Sequence, residues 1–230
     1  MPTVTYETRK GRLEEYFDRT ASETWARLTS DAPVSRIRAT VRQGRDEMRA
    51  LLLDWLGADL TGRRILDAGC GTGALAVEAA RRGAEVVAID IAGSLVGVAA
   101  ERAPEDVRAR IDFRVGDMLD PHLGAFDHVV AMDSLIHYPA GDIARVVASL
   151  AGQASRSVVF TFAPRTPALT VMHAVGQLFP RSDRSPAIEP VAHETLVGLL
   201  GQALPAARCA RTQRVMRGFY TSQALEVALA

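Results

Sequence analysis

The sequence predicts an α/β fold built on a mostly parallel, seven-stranded sheet, and three observations predict it. Short, near-continuous apolar runs alternate with helical stretches from about residue 63 to residue 162. That rhythm belongs to parallel strands joined by right-handed helical crossovers and covered on both faces. The first run leads into Leu66-Asp67-Ala68-Gly69-Cys70-Gly71-Thr72-Gly73, a glycine-rich strand-to-helix turn. After a last helix, two more strand-like runs close the sheet, with the final strand antiparallel.

Composition sets the bounds. The 230 residues suffice for one sizeable domain with its own core. Lys and Arg total 27, as do Asp and Glu, so the net charge is zero, which argues against nucleic acid as a partner. Two cysteines, Cys70 and Cys209, form no disulfide framework and suit a reducing cytosol. No signal peptide is read at the start, and no apolar run reaches the ~18 residues of a transmembrane segment.

The elements follow in order. Residues 1–60 read as a helical N-terminal arm. Leu13, Tyr16, Phe17, Ala21, Trp25 and Leu28 recur at helical spacing, and after Asp31-Ala32-Pro33 a second stripe runs Val34, Ile37, Val41, Met48, Leu52 and Trp55. The opposite face carries Arg36, Arg38, Arg42, Arg45 and Arg49, whose plain reading is a solvated face. An arm this long would cover a crevice at the sheet edge. Residues 61–230 form the main domain, with strands at 63–67, 85–90, 111–115, 126–132 and 156–162 and helices at 74–82, 94–102 and 142–151. Residues 163–192 break the rhythm, with Pro164, Pro167, Pro180, Pro186 and Pro190 punctuating an apolar helix. So long an insertion reads as a lid over an acceptor pocket. A helix at 193–202 and strands at about 206–214 and 217–227 complete the chain.

The glycine turn carries the chemistry. Gly69, Gly71 and Gly73 let the backbone turn tightly and a ligand approach closely, in the crevice where open α/β sheets bind ligands. The letters also satisfy a dinucleotide fingerprint. Asp67 decides between the two, since a pyrophosphate at the helix N-terminus would be repelled by its carboxylate. S-adenosylmethionine (SAM) carries a sulfonium and an ammonium, which a carboxylate attracts. The expected fold is therefore the Rossmann-like class I methyltransferase fold, with SAM as methyl donor. Asp90, at the end of the second strand with Ile91 beside it, is placed for the ribose hydroxyls. Asp117 and Met118, after the third strand, are placed for the adenine, and Met132 at the end of the fourth strand completes the set. Cys70 reads as a small packed residue rather than a nucleophile. The fourth strand runs into Asp133-Ser134-Leu135-Ile136-His137-Tyr138-Pro139. Pro139 holds the preceding residue extended, and His137 is the leading catalytic candidate. No histidine pair has metal-ligand spacing, so no metal site is expected.

These residues, with others, resemble the magnesium-protoporphyrin IX O-methyltransferases of (bacterio)chlorophyll synthesis over nearly the whole chain. The specific features are Tyr16-Phe17-Asp18-Arg19-Thr20 with Trp25-Ala26-Arg27, Leu135-Ile136-His137-Tyr138-Pro139, Phe162-Ala163-Pro164 with Thr166, Leu178-Phe179-Pro180 and Gly218-Phe219-Tyr220. The resemblance implies methyl transfer from SAM to one propionate of magnesium-protoporphyrin IX, with Tyr16 and His137 as the functional pair. It also implies an arm closing over SAM, the large subunit of magnesium chelatase as a partner, and a cytoplasmic location with peripheral contact at photosynthetic membranes. After Pro180 the chain departs from the family pattern, reading Arg181-Ser182-Asp183-Arg184-Ser185-Pro186, so lid contacts do not carry over. Arg36, Arg165 and Arg184 are the candidates to pair with the second propionate. A methyltransferase acting on a smaller acid or phenol, or a module that binds SAM or porphyrin without turnover, are the competing readings.

Overall fold

The computed structural model describes residues 4–20, 36–165 and 187–229. One seven-stranded sheet runs through them: β1 (Arg64–Ala68), β2 (Glu85–Asp90), β3 (Ile111–Val115), β4 (Phe126–Ala131), β5 (Ala154–Phe162), β6 (Arg208–Arg217) and β7 (Tyr220–Ala228). The spatial order is β3-β2-β1-β4-β5-β7-β6. The first five strands pair in parallel, while β7 runs antiparallel to both neighbours. The order reverses between β1 and β4, which opens a crevice beyond their carboxyl ends.

The described helices are α1 (Val4–Glu15), which runs into a π-helical turn at Tyr16–Thr20, α2 (Arg36–Leu56), α3 (Ala74–Arg81), α4 (Gly93–Arg102), α5 (Glu105–Arg108), α6 (Ala140–Ala151) and α7 (His193–Ala203). The two-residue period of a strand sends alternate side chains into two separate cores. Leu66, Val87, Val129, Val158, Phe160 and Leu225 pack with Ile143, Val147 and Leu150 of α6 and Leu196 of α7. Ile65, Val86, Val130, Val159 and Ala224 pack with Met48, Leu52 and Leu53 of α2 and Leu75 and Ala79 of α3. Thus α2, read from sequence as part of an arm, forms one wall of the second core while its other side reaches the crevice.

Most boundaries fall within two residues of the sequence reading. The last hairpin is the exception, since β6 reaches Arg217 and the chain turns at Gly218 with φ +55°. That backbone suits glycine, and a Cβ there would stand 2.6 Å from the Thr40 hydroxyl. The short α5 and a 3-10 turn at Pro121–Leu123 carry too little periodicity to be anticipated. Most of the lid, with Leu178 and Phe179, and residues 21–35 of the arm, with Trp25, lie outside the described residues. Its foot returns along the strand ends, where Val191 donates to the Ala163 carbonyl at 2.8 Å and Arg165 to the Val191 carbonyl at 2.9 Å.

Gly44, in the middle of α2, is where that helix meets β7. A Cβ there would stand 2.5 Å from Cδ1 and 2.9 Å from Cβ of Tyr220. Helix propensity alone would favour alanine by up to about 1 kcal/mol. Overpacking against atoms near the Tyr220 backbone should outweigh it, so Gly44→Ala is expected to destabilise by about 1–3 kcal/mol. A urea titration measures this, and a more stable variant would contradict the packing described.

Candidate active site

The ends of four parallel strands are stitched together at the carboxyl edge. Gly69 and Cys70 both donate to the Ile89 carbonyl, at 2.9 and 3.0 Å, and Gly116 donates to the Asp90 carbonyl at 2.9 Å. Ser134, after β4, donates to the Ala68 carbonyl at 2.9 Å. Gly69 sits at φ +84°, and a Cβ on it would lie 2.4 Å from that of Ser134. Gly71 sits at φ +54° with nothing within 4 Å of an added Cβ, so it is the glycine that keeps space open. These loops, α2 and the π-helical turn enclose a cavity of about 340 Å³, within the range of small-molecule sites.

Of the residues singled out from sequence, Asp67, Gly69, Cys70, Gly71, Asp90, Ile91, Met118, Met132 and His137 all line this cavity. Asp67 is fully buried, and its Oδ2 has no hydrogen-bond partner. Burial, followed by the nearby charge of Asp90, pushes its carboxyl up to about 7. Asp90 accepts from the backbone of Gly71 at 2.8 Å and of Ala92 at 2.9 Å. Burial raises its carboxyl against the pull of those amides. Burial likewise holds the Cys70 thiol well above its ordinary range, so it stays protonated. A buried acid, a second acid beside it and an open glycine fit a ligand that brings positive charge and needs a close backbone approach.

Three predicted residues stand elsewhere. Gly73 starts α3 at φ +78°, where a Cβ would touch Ala99 and Phe113 at 3.0 and 3.1 Å, so its need is packing. Asp117 faces α1 instead of the cavity, accepting from the Tyr6 hydroxyl at 3.0 Å, Lys10 Nζ at 2.7 Å and the Leu119 amide at 2.9 Å. Tyr16 packs edge-on to Phe17 at 5.2 Å, and it is Phe17 that lines the cavity and approaches the His137 ring at 6.3 Å.

The structure adds residues the sequence did not mark. Tyr6 is buried and stacked on Tyr138 at 5.3 Å. Arg9 donates to the His137 carbonyl at 2.6 Å and to Glu189 at 2.8 Å. Helix α1 is thereby clamped over the loops after β3 and β4. His137 Nδ1 lies 3.2 Å from the Ala187 carbonyl. A carbonyl can only accept, so Nδ1 carries the proton. Asp133 is the sole non-glycine residue with positive φ, +54°, among the described residues. Its buried carboxylate accepts from Arg45 at 2.8 Å, the Tyr220 hydroxyl at 3.1 Å and the Ser222 hydroxyl at 3.3 Å. Arg42, Arg45 and Arg49 stand in the cavity wall rather than on a solvated face. An acid ending the fourth strand, as Asp67 and Asp90 end the first two, was the available signal for Asp133.

Asp67 makes stability depend on pH. Its folded-state value of about 7 lies above the ordinary 3.8, so the folded chain holds the proton more tightly than the unfolded one. Stability on this account is full below the ordinary value and lost as pH rises through about 7. Asp67→Asn removes the titration. The variant should gain melting temperature relative to the parent between pH 5 and pH 8, about one pH unit or more to either side of the transition. A gap that stays constant with pH would contradict this assignment.

Comparison with known proteins agrees with the geometry. The family model described as magnesium-protoporphyrin IX methyltransferase C-terminus matches residues 131–228, and a general methyltransferase domain matches residues 65–153. The magnesium-protoporphyrin O-methyltransferase of Rhodobacter capsulatus is 52% identical over 94% of this chain and 95% of its own length. That of Synechocystis is 32% identical over 93% and 94%. A crystal structure of the Synechocystis magnesium protoporphyrin IX methyltransferase with bound S-adenosylhomocysteine superposes with a TM-score of 0.84 at 31% identity, covering 96% of this chain and all of that one. A geranyl diphosphate C-methyltransferase from Streptomyces coelicolor, at 12% identity and a TM-score of 0.70, shares the fold alone. By its motifs, its sheet and these relatives, the chain belongs to the magnesium-protoporphyrin O-methyltransferases.

Proposed function

We propose that the chain transfers a methyl group from SAM to one propionate of magnesium-protoporphyrin IX, giving the monomethyl ester and S-adenosylhomocysteine. The observation that carries the reading is a single cavity with the buried Asp67 and the amide-held Asp90 at the ends of β1 and β2 and His137 after β4. The family's relatives supply the acceptor's identity. SAM supplies a methyl carbon activated by its sulfonium, which becomes a neutral sulfide when the bond to carbon breaks.

The chain's own residues bind, aim and exclude water. Asp67 stands at the turn where positive charge favours its ionised form, and Asp90 is placed to accept from ribose hydroxyls. Gly69, Gly71, Ile91, Met118 and Met132 shape the walls. A propionic acid, with a pKa near the ~4.3 of Glu, is ionised at neutral pH, so no strong base is needed. With Nδ1 donating to the Ala187 carbonyl, Nε2 is the ring nitrogen that serves the acceptor. A hydrogen bond from His137 to the carboxylate fixes its orientation. It holds one oxygen while the other faces the methyl carbon. Such positioning is worth roughly 7–11 kcal/mol when alignment is good. Phe17 packs toward the His137 ring, and Tyr16 acts as a positioning residue through Phe17. Asp117, by holding Tyr6 and Lys10, keeps α1 over the adenine side.

Within this reading residues 1–60 serve as the closing arm and 61–230 as the methyltransferase domain. The large subunit of magnesium chelatase is the proposed partner, at the surface of a photosynthetic membrane. No helix among the described residues is long and apolar enough to cross a membrane.

The test mixes protein, SAM and magnesium-protoporphyrin IX and separates the pigment by chromatography with mass detection. A product heavier by one methyl group, absent without SAM, is expected. Bound SAM with unchanged porphyrin would move the acceptor to a smaller acid or phenol. His137→Ala should lower kcat about a hundredfold with SAM affinity retained. Full activity in that variant would remove His137 from the mechanism.

A further inference from the structure

The cavity is electrically two-sided. Asp67 and Asp90 stand at the ends of β1 and β2, while Arg42, Arg45 and Arg49 project from one face of α2. Their spacing of three and four residues aligns them on the helix. Asp133 anchors Arg45 at 2.8 Å, and Asp46 accepts from Arg49 at 2.8 Å. Beside this wall rises the β6–β7 hairpin. Because β7 is antiparallel and Gln223 pairs with Phe162, the last residue of β5, the turn at Gly218 and Phe219 projects beyond the ligand edge of the sheet. Tyr220 packs against Gly44, between Arg42 and Arg45, and Arg217 pairs with Glu47 at 2.9 Å. The hairpin tip nevertheless leaves Phe219 59% exposed. A tethered apolar tip left in water next to a row of guanidiniums matches a ligand that is flat and apolar with a carboxylate at its margin.

We propose that this α2 face and hairpin tip form the seat of the acceptor. The guanidiniums take the carboxylate that is not methylated, and Phe219 carries one face of the ring. The seat rests on the function proposed above and assigns the acceptor's orientation: its second carboxylate lies toward α2, and the reacting one toward His137. It replaces Arg36, Arg165 and Arg184 as partners of the second propionate. Arg165 is exposed outside the cavity wall, and the side chains of the other two lie outside the described residues.

The test uses the full chain, the double variant Arg42→Gln/Arg49→Gln and the single variant Phe219→Ser. Porphyrin affinity is read by fluorescence quenching with magnesium-protoporphyrin IX and with its dimethyl ester, which has the same ring and no carboxylate. SAM affinity is read by calorimetry, which also reports an intact fold. The double variant should lose about tenfold or more in affinity for the diacid while affinity for the dimethyl ester stays within about twofold. Phe219→Ser should weaken both porphyrins alike, by about three- to tenfold. SAM affinity should be retained throughout. Unchanged discrimination between diacid and diester, in protein that still methylates the diacid, would overturn the seat and leave the function standing. Loss of SAM affinity alone in the double variant would also overturn it, because the guanidiniums would then hold the donor's carboxylate. A parent protein with no turnover of the porphyrin would overturn the function and the seat together.

Discussion

The carboxylate of Asp133 joins parts of the chain that are far apart in sequence. It ends β4 in a left-handed backbone conformation that costs a non-glycine residue of order 1–3 kcal/mol. In return it accepts from Arg45 on α2 and from Tyr220 and Ser222 on β7, while its amide donates to Thr161 on β5 at 2.7 Å. A buried carboxylate is tolerated only when its oxygens are satisfied by such donors. The same contacts fix where α2 crosses the sheet and where the last hairpin stands. Burial, and then the Asp133 charge, push the Tyr220 phenol up, so it remains a donor to that carboxylate.

The opposite side of the cavity works by leaving one acid poorly satisfied. Asp67 has one buried oxygen without a partner, a cost the fold carries at a position where a cationic ligand would relieve it. Asp90 differs in kind, because backbone amides of Gly71 and Ala92 already hold it and its place is set before any ligand arrives. One acid is tuned by ligand charge and the other by the loops. Between them Gly71 leaves the opening that any side chain would narrow.

Closure depends on α1 in a way that couples the two halves of the crevice. Tyr6 and Lys10 bind Asp117 after β3, while Arg9 binds the main chain of His137 after β4 and the side chain of Glu189. A helix held at both sides cannot shift at one without disturbing the other. Asp18 extends the clamp by accepting from the Ser94 amide at the start of α4, at 2.9 Å. The arm is thus a structural part of the loops it covers.

Local chemistry determined much of this protein in the sequence itself. Near-continuous apolar runs and glycine punctuation set the strands, and strand-end position set Asp67, Asp90 and His137, because in a parallel sheet every carboxyl end faces the same crevice. Those features depend on neighbours in the chain and are legible there. Only the tertiary structure decided the partners of Asp117, the packing of Tyr16 on Phe17, the hub at Asp133 and the inward face of Arg42, Arg45 and Arg49. The arginines illustrate the reason. On a helix with one apolar stripe, a cationic stripe reads as solvated until the crossing of α2 over β7, set by Gly44 against Tyr220, turns part of it toward the cavity. That crossing rests on contacts between residues more than 170 positions apart, which no local pattern encodes.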